Sequence, residues 1–251
     1  MRLLLFVLLA VFHITPLRAA WTFTAPEPLR AAAGLEFVRR EAGDGAQRVE
    51  LHLVTFRAKT HTFAVMDNPE GAFDLGSAAA QRGALAAVNG GYFHPDRTPL
   101  GLVVRQGATI HPMERAKLLS GLVVVTADRV ALMRAGEFKM SAKVREALQA
   151  GPFLVDDGKA VAGLNDTRGA ARTVVFTDGS GRFGLLIGKS ATLAEMAQIL
   201  ATPGLLADGK IVRALNLDGG SSTAMWAKQD ASAFYAREWK GVRNYLGIVV
   251  R

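Results

Sequence analysis

Residues 171–188 read ARTVVFTDGSGRFGLLIG, two apolar runs rich in β-branched and aromatic residues held apart by DGSG. Such a segment has one economical conformation, a β-hairpin. The same grammar recurs along the chain and constrains the fold more than any other feature. RVELHLVTF (48–56) and HTFAVMD (61–67) read as strands joined by a short turn, hence a second hairpin. ALAAVNGGYF (84–93) is a buried strand that breaks at paired glycines. PLGLVVRQG and SGLVVVTADRVALMR give a strand and a further hairpin turning at Thr126–Arg129, and RALNLDGG and NYLGIVV supply two more strands.

Helical signals are fewer. GSAAAQRG (76–83) predicts a short helix, and SAKVREALQA (141–150), closed by Gly151-Pro152, predicts another. TLAEMAQIL (192–200) predicts a third, because Thr192 and Glu195 have capping-box spacing and Pro203-Gly204 ends the run. Strands outnumber helices and do not alternate with them, so the expected class is α+β: one domain with mixed or antiparallel sheets and a few connecting helices.

The first twenty residues, MRLLLFVLLAVFHITPLRAA, join a positive start, a twelve-residue apolar stretch and small residues at Ala19 and Ala20. They read as a secretory signal peptide, too short for a membrane span, with residues 21–251 as the mature domain outside the cytoplasm, secreted or periplasmic. No further run of that kind follows, so no membrane span is expected after cleavage.

The formal charge of +8, of which Arg2 and Arg18 fall in the leader, favours anionic partners. Nucleic acid is not among those expected, for there is no dense Lys/Arg run, no aromatic interleaving and no recognition helix. The absence of cysteine excludes disulfides, thiolate metal sites and cysteine nucleophiles.

Two segments share one design, a strand, a polar residue and paired glycines: AAVNGGYF around Asn89, Gly90 and Gly91, and LNLDGGSS around Asp218, Gly219, Gly220, Ser221 and Ser222. Neither is a phosphate loop of the GxxxxGK[ST] or GxGxxG kind. Glycine pairs there admit unusual backbone angles and close approach of a ligand. DGGSS is not the GxSxG elbow of a serine hydrolase. No HExxH or HxH spacing marks a zinc site, and no cofactor is expected. Asp218 with main-chain carbonyls could hold a hard cation such as calcium, although the acid clusters usual for such sites are missing. NDTRG (165–169) and VDDG (155–158) read as turns. Arg172, ahead of a strand, carries a guanidinium suited to gripping phosphate.

Taken in order, VNGGYF, QAGPFLVDDG, ARTVVFTDGSG, TLAEMAQIL, ALNLDGGSSTAMW and VRNYLGIVV resemble the phosphodiester glycosidase family. The resemblance implies hydrolysis of a sugar-1-phosphodiester at the anomeric C–O bond, freeing the sugar and a phosphomonoester. It implies Asp218 as the catalytic acid, serving as nucleophile, base or oxocarbenium stabiliser. It further implies Asn89 with the Gly90 and Gly91 amides as holders of sugar hydroxyls or phosphate, Arg172 as the phosphate neutraliser, and Ser221, Ser222 and Asn244 as supporting hydrogen-bonders. Gly219 and Gly220 would clear room for the sugar phosphate. The chain departs from the family pattern at Ser221, where a glycine is common, at Phe176, which would narrow the pocket, and at Lys240, where an arginine is usual. Two other readings stand beside this one: an envelope protein that binds phosphorylated glycan without turnover, and a metal-assisted phosphodiesterase that breaks P–O.

Overall fold

The computed structural model describes residues 20–251. The signal-peptide reading therefore lies, apart from Ala20, outside the described residues. No helix among them is long and apolar enough to cross a membrane.

Strand outweighs helix by 45% to 10%, so the molecule is mainly β rather than the balanced α+β the sequence suggested. The strands among the described residues form three antiparallel sheets. The largest has nine strands and runs through Leu35–Gly43, Arg48–Arg57, Arg182–Ala191, Ala170–Thr177, Arg213–Asn216 and Phe153–Asp156. A five-stranded sheet centres on Ala86–Asn89, between Met225–Lys228 and Asn244–Val250. The third, also five-stranded, centres on Val144–Ala150. Phe37, Val54 and Leu185 of the first sheet, Phe63 and Val88 of the second, and Val123 and Leu148 of the third bury their side chains in one shared core. A second core forms where Met196, Ile199 and Leu200 of the helix Leu193–Ala201 cover the outer face of the nine-stranded sheet.

The 171–188 hairpin forms in register, Thr173 opposite Ile187 and Thr177 opposite Phe183. Helix Leu193–Ala201 starts where its caps dictate: the Thr192 hydroxyl accepts from the Glu195 amide, and the Glu195 carboxylate accepts from the Thr192 amide. Helix Leu75–Arg82 ends at Gly83 in the left-handed conformation.

Three expectations fail for physical reasons. Residues 144–150 are a strand, not a helix: Glu146 and Gln149, which mimic a polar helix face, are buried and hydrogen-bonded. The Gln149 Oε1 accepts from the amides of Leu102 and Glu114, and its Nε2 donates to the carbonyls of Glu114 and Leu119. Tertiary pairing overrides local propensity there. Strands Arg48–Arg57 and His61–Asp67 do not pair with each other. The first has both edges occupied inside the nine-stranded sheet, and the second turns away to pair with Asn244–Val250. Phe176 narrows no pocket, because it fills the second core and lies against Gly184, where a Cβ would collide with its ring.

Candidate functional site

The two strand-then-glycine segments belong to different sheets, and the structure joins them at one seam. The Asn89 side-chain amide donates to the Asp218 carbonyl at 2.7 Å, and the Asp218 amide donates to the Gly90 carbonyl at 3.0 Å. The neighbouring strand Ala170–Thr177 completes the seam: the Leu217 amide donates to the Thr173 carbonyl at 2.8 Å, and the Thr173 hydroxyl donates to Asn89 Oδ1 at 2.7 Å. The Ala224 amide donates to the same Asn89 oxygen at 3.0 Å. Asn89, Thr173 and Ala224 are all fully buried.

This wiring gives several of the expected residues a structural part. Asn89 has its oxygen doubly occupied and joins the two sheets as a strut. The amides that were to bind ligand are consumed as well. The Gly90 amide donates to the Asn244 carbonyl and the Gly91 amide to Asn244 Oδ1, both at 2.8 Å. Asn244 is itself fully buried.

The glycines serve backbone proximity. A Cβ on Gly90 would overlap Asn244, one on Gly91 would lie 3.0 Å from the Gln149 carbonyl, and one on Gly219 would lie 2.8 Å from the Ala171 carbonyl. Gly220 has open space around it but a φ of +62°, which only glycine adopts without strain. Gly219 and Gly220 thus shape the turn that carries Asp218.

Beside the seam lies a compact set of polar side chains. Asp218 follows the strand Arg213–Asn216 and is largely shielded from water. Burial pushes its carboxyl above the ordinary aspartate value, against hydrogen bonds from the Ser222 hydroxyl and the Gly219 amide that favour the ionised form. The Gly219 amide lies 2.9 Å from Asp218 Oδ1. Ser222 is half-buried, and Ser221 is exposed.

Arg172 is buried, and two of its nitrogens are fixed by main chain: Nε donates to the Ala191 carbonyl at 2.8 Å and Nη2 to the Arg168 carbonyl at 2.7 Å. Its Nη1 edge points at Gly219, 3.9 Å from where a Cβ there would sit. Burial lowers its pKa from the ordinary arginine value, but a guanidinium stays charged across the physiological range.

Tyr92 is a residue the sequence reading quoted without assigning. Its hydroxyl donates to the Gly151 carbonyl at 2.6 Å and accepts from the Asn216 side-chain amide at 2.8 Å. Burial, and then the charge of Asp218, push the phenol far above its usual pKa, so it is a neutral wall of the site. A tyrosine directly after a strand-ending glycine pair was the available signal.

Three buried polar atoms near the seam, Asn216 Oδ1, Thr223 Oγ1 and Asn244 Nδ2, have no protein partner. Buried polar atoms of this kind are places where a bound molecule or water completes the hydrogen bonding. Among the described residues no three His, Asp or Glu side chains converge as a metal site. A calcium ion at Asp218 would rest on one carboxylate and main-chain carbonyls. Lys240 is exposed, and the buried arginine just ahead of the terminal strand is Arg243, ion-paired with Asp67. A cavity of about 910 Å³ lined by Arg57, Lys59, Arg129 and Arg213 opens at the other end of the same strands and contains none of these residues.

Comparison with known proteins places the chain. Its fold is similar to that of a hypothetical protein from Synechocystis (18% identity, TM-score 0.60), covering 91% of this chain and 64% of that one. It is also similar to the catalytic domain of zebrafish N-acetylglucosamine-1-phosphodiester α-N-acetylglucosaminidase, auto-inhibited by its pro-peptide, at 16% identity and TM-score 0.66. That likeness covers 93% of this chain and 89% of that one. The chain thus spans under two thirds of the Synechocystis protein. No curated protein matches it in sequence. The model of the phosphodiester glycosidase family matches residues 82–249, a span that begins just before the Asn89 strand and ends within the Asn244–Val250 strand, enclosing the whole seam. The chain belongs to the phosphodiester glycosidase family.

Proposed function

We propose that the protein is a hydrolase that cleaves a sugar-1-phosphodiester at the anomeric C–O bond. Water adds to the anomeric carbon, the bond to the phosphate oxygen breaks, and free sugar and a phosphomonoester leave. The observation that carries this reading is the placing of Arg172, from the strand Ala170–Thr177, beside the turn that carries Asp218, an acid and a cation held by separate main-chain anchors. Asp218, ionised, supplies the negative charge that the anomeric carbon meets as the bond lengthens. The free edge of Arg172 takes up the charge accumulating on the departing phosphate. The upward shift of Asp218 arises from burial, which outweighs the two donors that oppose it, and no neighbouring carboxylate contributes. Ordinary glycosidases need a second carboxylic acid to protonate a poor leaving group; a phosphate ester leaves without that help. The family membership and the likeness to the zebrafish enzyme's catalytic domain support the same reaction. The site's place of work is outside the cytoplasm, as the leader sequence implies.

The test is hydrolysis of a sugar-1-phosphodiester in ¹⁸O-water by the wild type and by Asp218→Asn. Label in the sugar, and loss of turnover in the variant, are expected. Label in the phosphate would instead establish P–O cleavage, and full activity of Asp218→Asn would remove Asp218 from the chemistry.

A further inference from the structure

Strands Ala170–Thr177 and Arg213–Asn216 run between two concavities. At one end they carry Arg172 and lead into the Asp218 turn; at the other, Thr177 and Arg213 join the wall of the cavity of about 910 Å³. The turns around that cavity hold one another in place. The Ala58 amide donates to the Gly181 carbonyl at 2.9 Å, the Arg251 amide to the Thr60 carbonyl at 3.0 Å, and the Arg251 guanidinium to the Ala127 carbonyl at 2.9 Å. Turns far apart in sequence are thus fixed around one opening.

The charge at that opening is unbalanced. Arg213 is matched by Glu137 at 2.7 Å and Asp156 at 3.1 Å. Arg57, Lys59 and Arg129 are exposed and form no ion pair among the described residues, and Asp128 is the one acid in the lining. Asp178, in the adjoining DGSG turn, is already occupied: its carboxylate accepts from the amide and hydroxyl of Ser180 and from the Arg182 amide. Exposed arginines elsewhere have found acids, Arg39 with Glu27 and Arg48 with Glu41. A concave site ringed by one sign of charge concentrates the field that draws a counter-ion.

The floor has the opposite character. It is made by Phe183, Leu132 and Val130, members of the central core, with Val212 half-buried beside them. A polyanion would engage the rim and leave this floor wet, and an uncharged ligand would leave the cations unused. A ligand that uses both has an anionic head and a short apolar body, and the cavity volume falls within the range of small-molecule sites.

We propose that this cavity binds an anionic amphiphile, a phosphate or carboxylate head joined to an alkyl or aromatic body. Arg57, Lys59 and Arg129 hold the head, and Phe183, Leu132 and Val130 take the body. The site is separate from the Asp218 turn and independent of the reaction proposed there. A free amphiphile and the head of an anionic lipid in a bilayer offer the same chemistry.

Calorimetry of the purified protein with alkyl phosphates tests it. Octyl phosphate should bind about tenfold more tightly than butyl phosphate, since burying even half of the four added methylenes supplies that factor. Octyl glucoside, with the same tail and no charge, should give no heat of binding. The double variant Arg57→Gln, Arg129→Gln should weaken octyl phosphate about tenfold, with the unfolding temperature and any turnover of a sugar-1-phosphodiester unchanged. Equal binding of the two alkyl phosphates, or inorganic phosphate bound as tightly as either, means that the floor takes no part and overturns the proposal. So does undiminished binding by the double variant, or no binding of octyl phosphate at all. Cosedimentation with phosphatidylglycerol but not phosphatidylcholine vesicles, lost in the double variant, places the head on a bilayer lipid; octyl phosphate binding without cosedimentation places it on a free molecule.

Discussion

Replacing Asn89 with alanine separates a strut from a ligand-binding group. The side chain makes three hydrogen bonds in a fully buried setting: to the Asp218 carbonyl, from the Thr173 hydroxyl and from the Ala224 amide. Truncation leaves all three partners buried and unpaired. Each such group costs about 1–3 kcal/mol, and the Thr173 hydroxyl can rotate to recover part of its share. The Ala224 N–H and Asp218 C=O are backbone and cannot, so these two cost about 2–6 kcal/mol together and a loss of about 3 kcal/mol is expected. For a domain of this size each kcal/mol lowers Tm by about 2–4 °C, which predicts a fall of about 6–12 °C in calorimetry or circular dichroism. The seam also holds the Asp218 turn against the other sheet, so kcat should drop with stability. Should Asn89→Ala instead unfold within about 2 °C of the wild type, with KM raised and kcat retained, Asn89 contacts substrate and the strut argument is wrong.

Asp218→Asn should behave in the opposite sense. The folded carboxyl has a raised pKa, so its contribution to stability is fully present below the unfolded value and is lost as pH rises through the folded one. At pH 7 the variant should therefore unfold at the wild-type temperature or higher while turnover disappears; a clear drop in Tm would contradict the burial argument. Ser222→Ala removes a hydrogen bond that favours the ionised acid, so the acid limb of the kcat/KM pH profile should move to higher pH, and an unmoved limb would separate Ser222 from Asp218. Gly219→Ala forces a Cβ to 2.8 Å from a strand carbonyl and must displace the Asp218 turn, whereas Gly220→Ala meets no atom and adds only about 1–2 kcal/mol of left-handed strain. Activity should fall far more in the first than in the second, and equal losses would contradict the close-approach account.

Local chemistry was legible in the sequence wherever a single stretch decides the outcome. The DGSG turn between β-branched runs, the Thr192–Glu195 box and the two strand-ending glycine pairs each act within a few residues, and each appears as read. Failures occur where a distant partner decides. Glu146 looks like a helix's solvent face until the Val65 amide, from a strand 81 residues away, occupies its carboxylate. Strands 48–57 and 61–67 are sequence neighbours, but their edges are claimed by Leu35–Gly43, Arg182–Ala191 and Asn244–Val250. The shared design of the NGG and DGG segments was legible, but not how they meet: nothing in NGG tells that both its amides end on Asn244.

The electrostatics of the seam bear on why such an arrangement would suit cleavage of a glycosyl phosphate. Were Arg172 and Asp218 an ion pair, the carboxyl would be driven below its ordinary pKa, since a neighbouring cation favours the charged form. It is raised, and Arg172 is not among the causes. The two charges are shielded from water yet kept apart, Arg172 by the Ala191 and Arg168 carbonyls and Asp218 by Gly219 and Ser222. Holding unpaired charges out of water costs stability. A ligand whose own charges were already separated would relieve both at once, and in the proposed reaction that separation grows along the coordinate. The anomeric carbon becomes cationic as the phosphate becomes more anionic. A fixed acid and a fixed cation that do not neutralise each other bind this transition state better than the ground state, which is the condition for raising kcat instead of merely lowering KM.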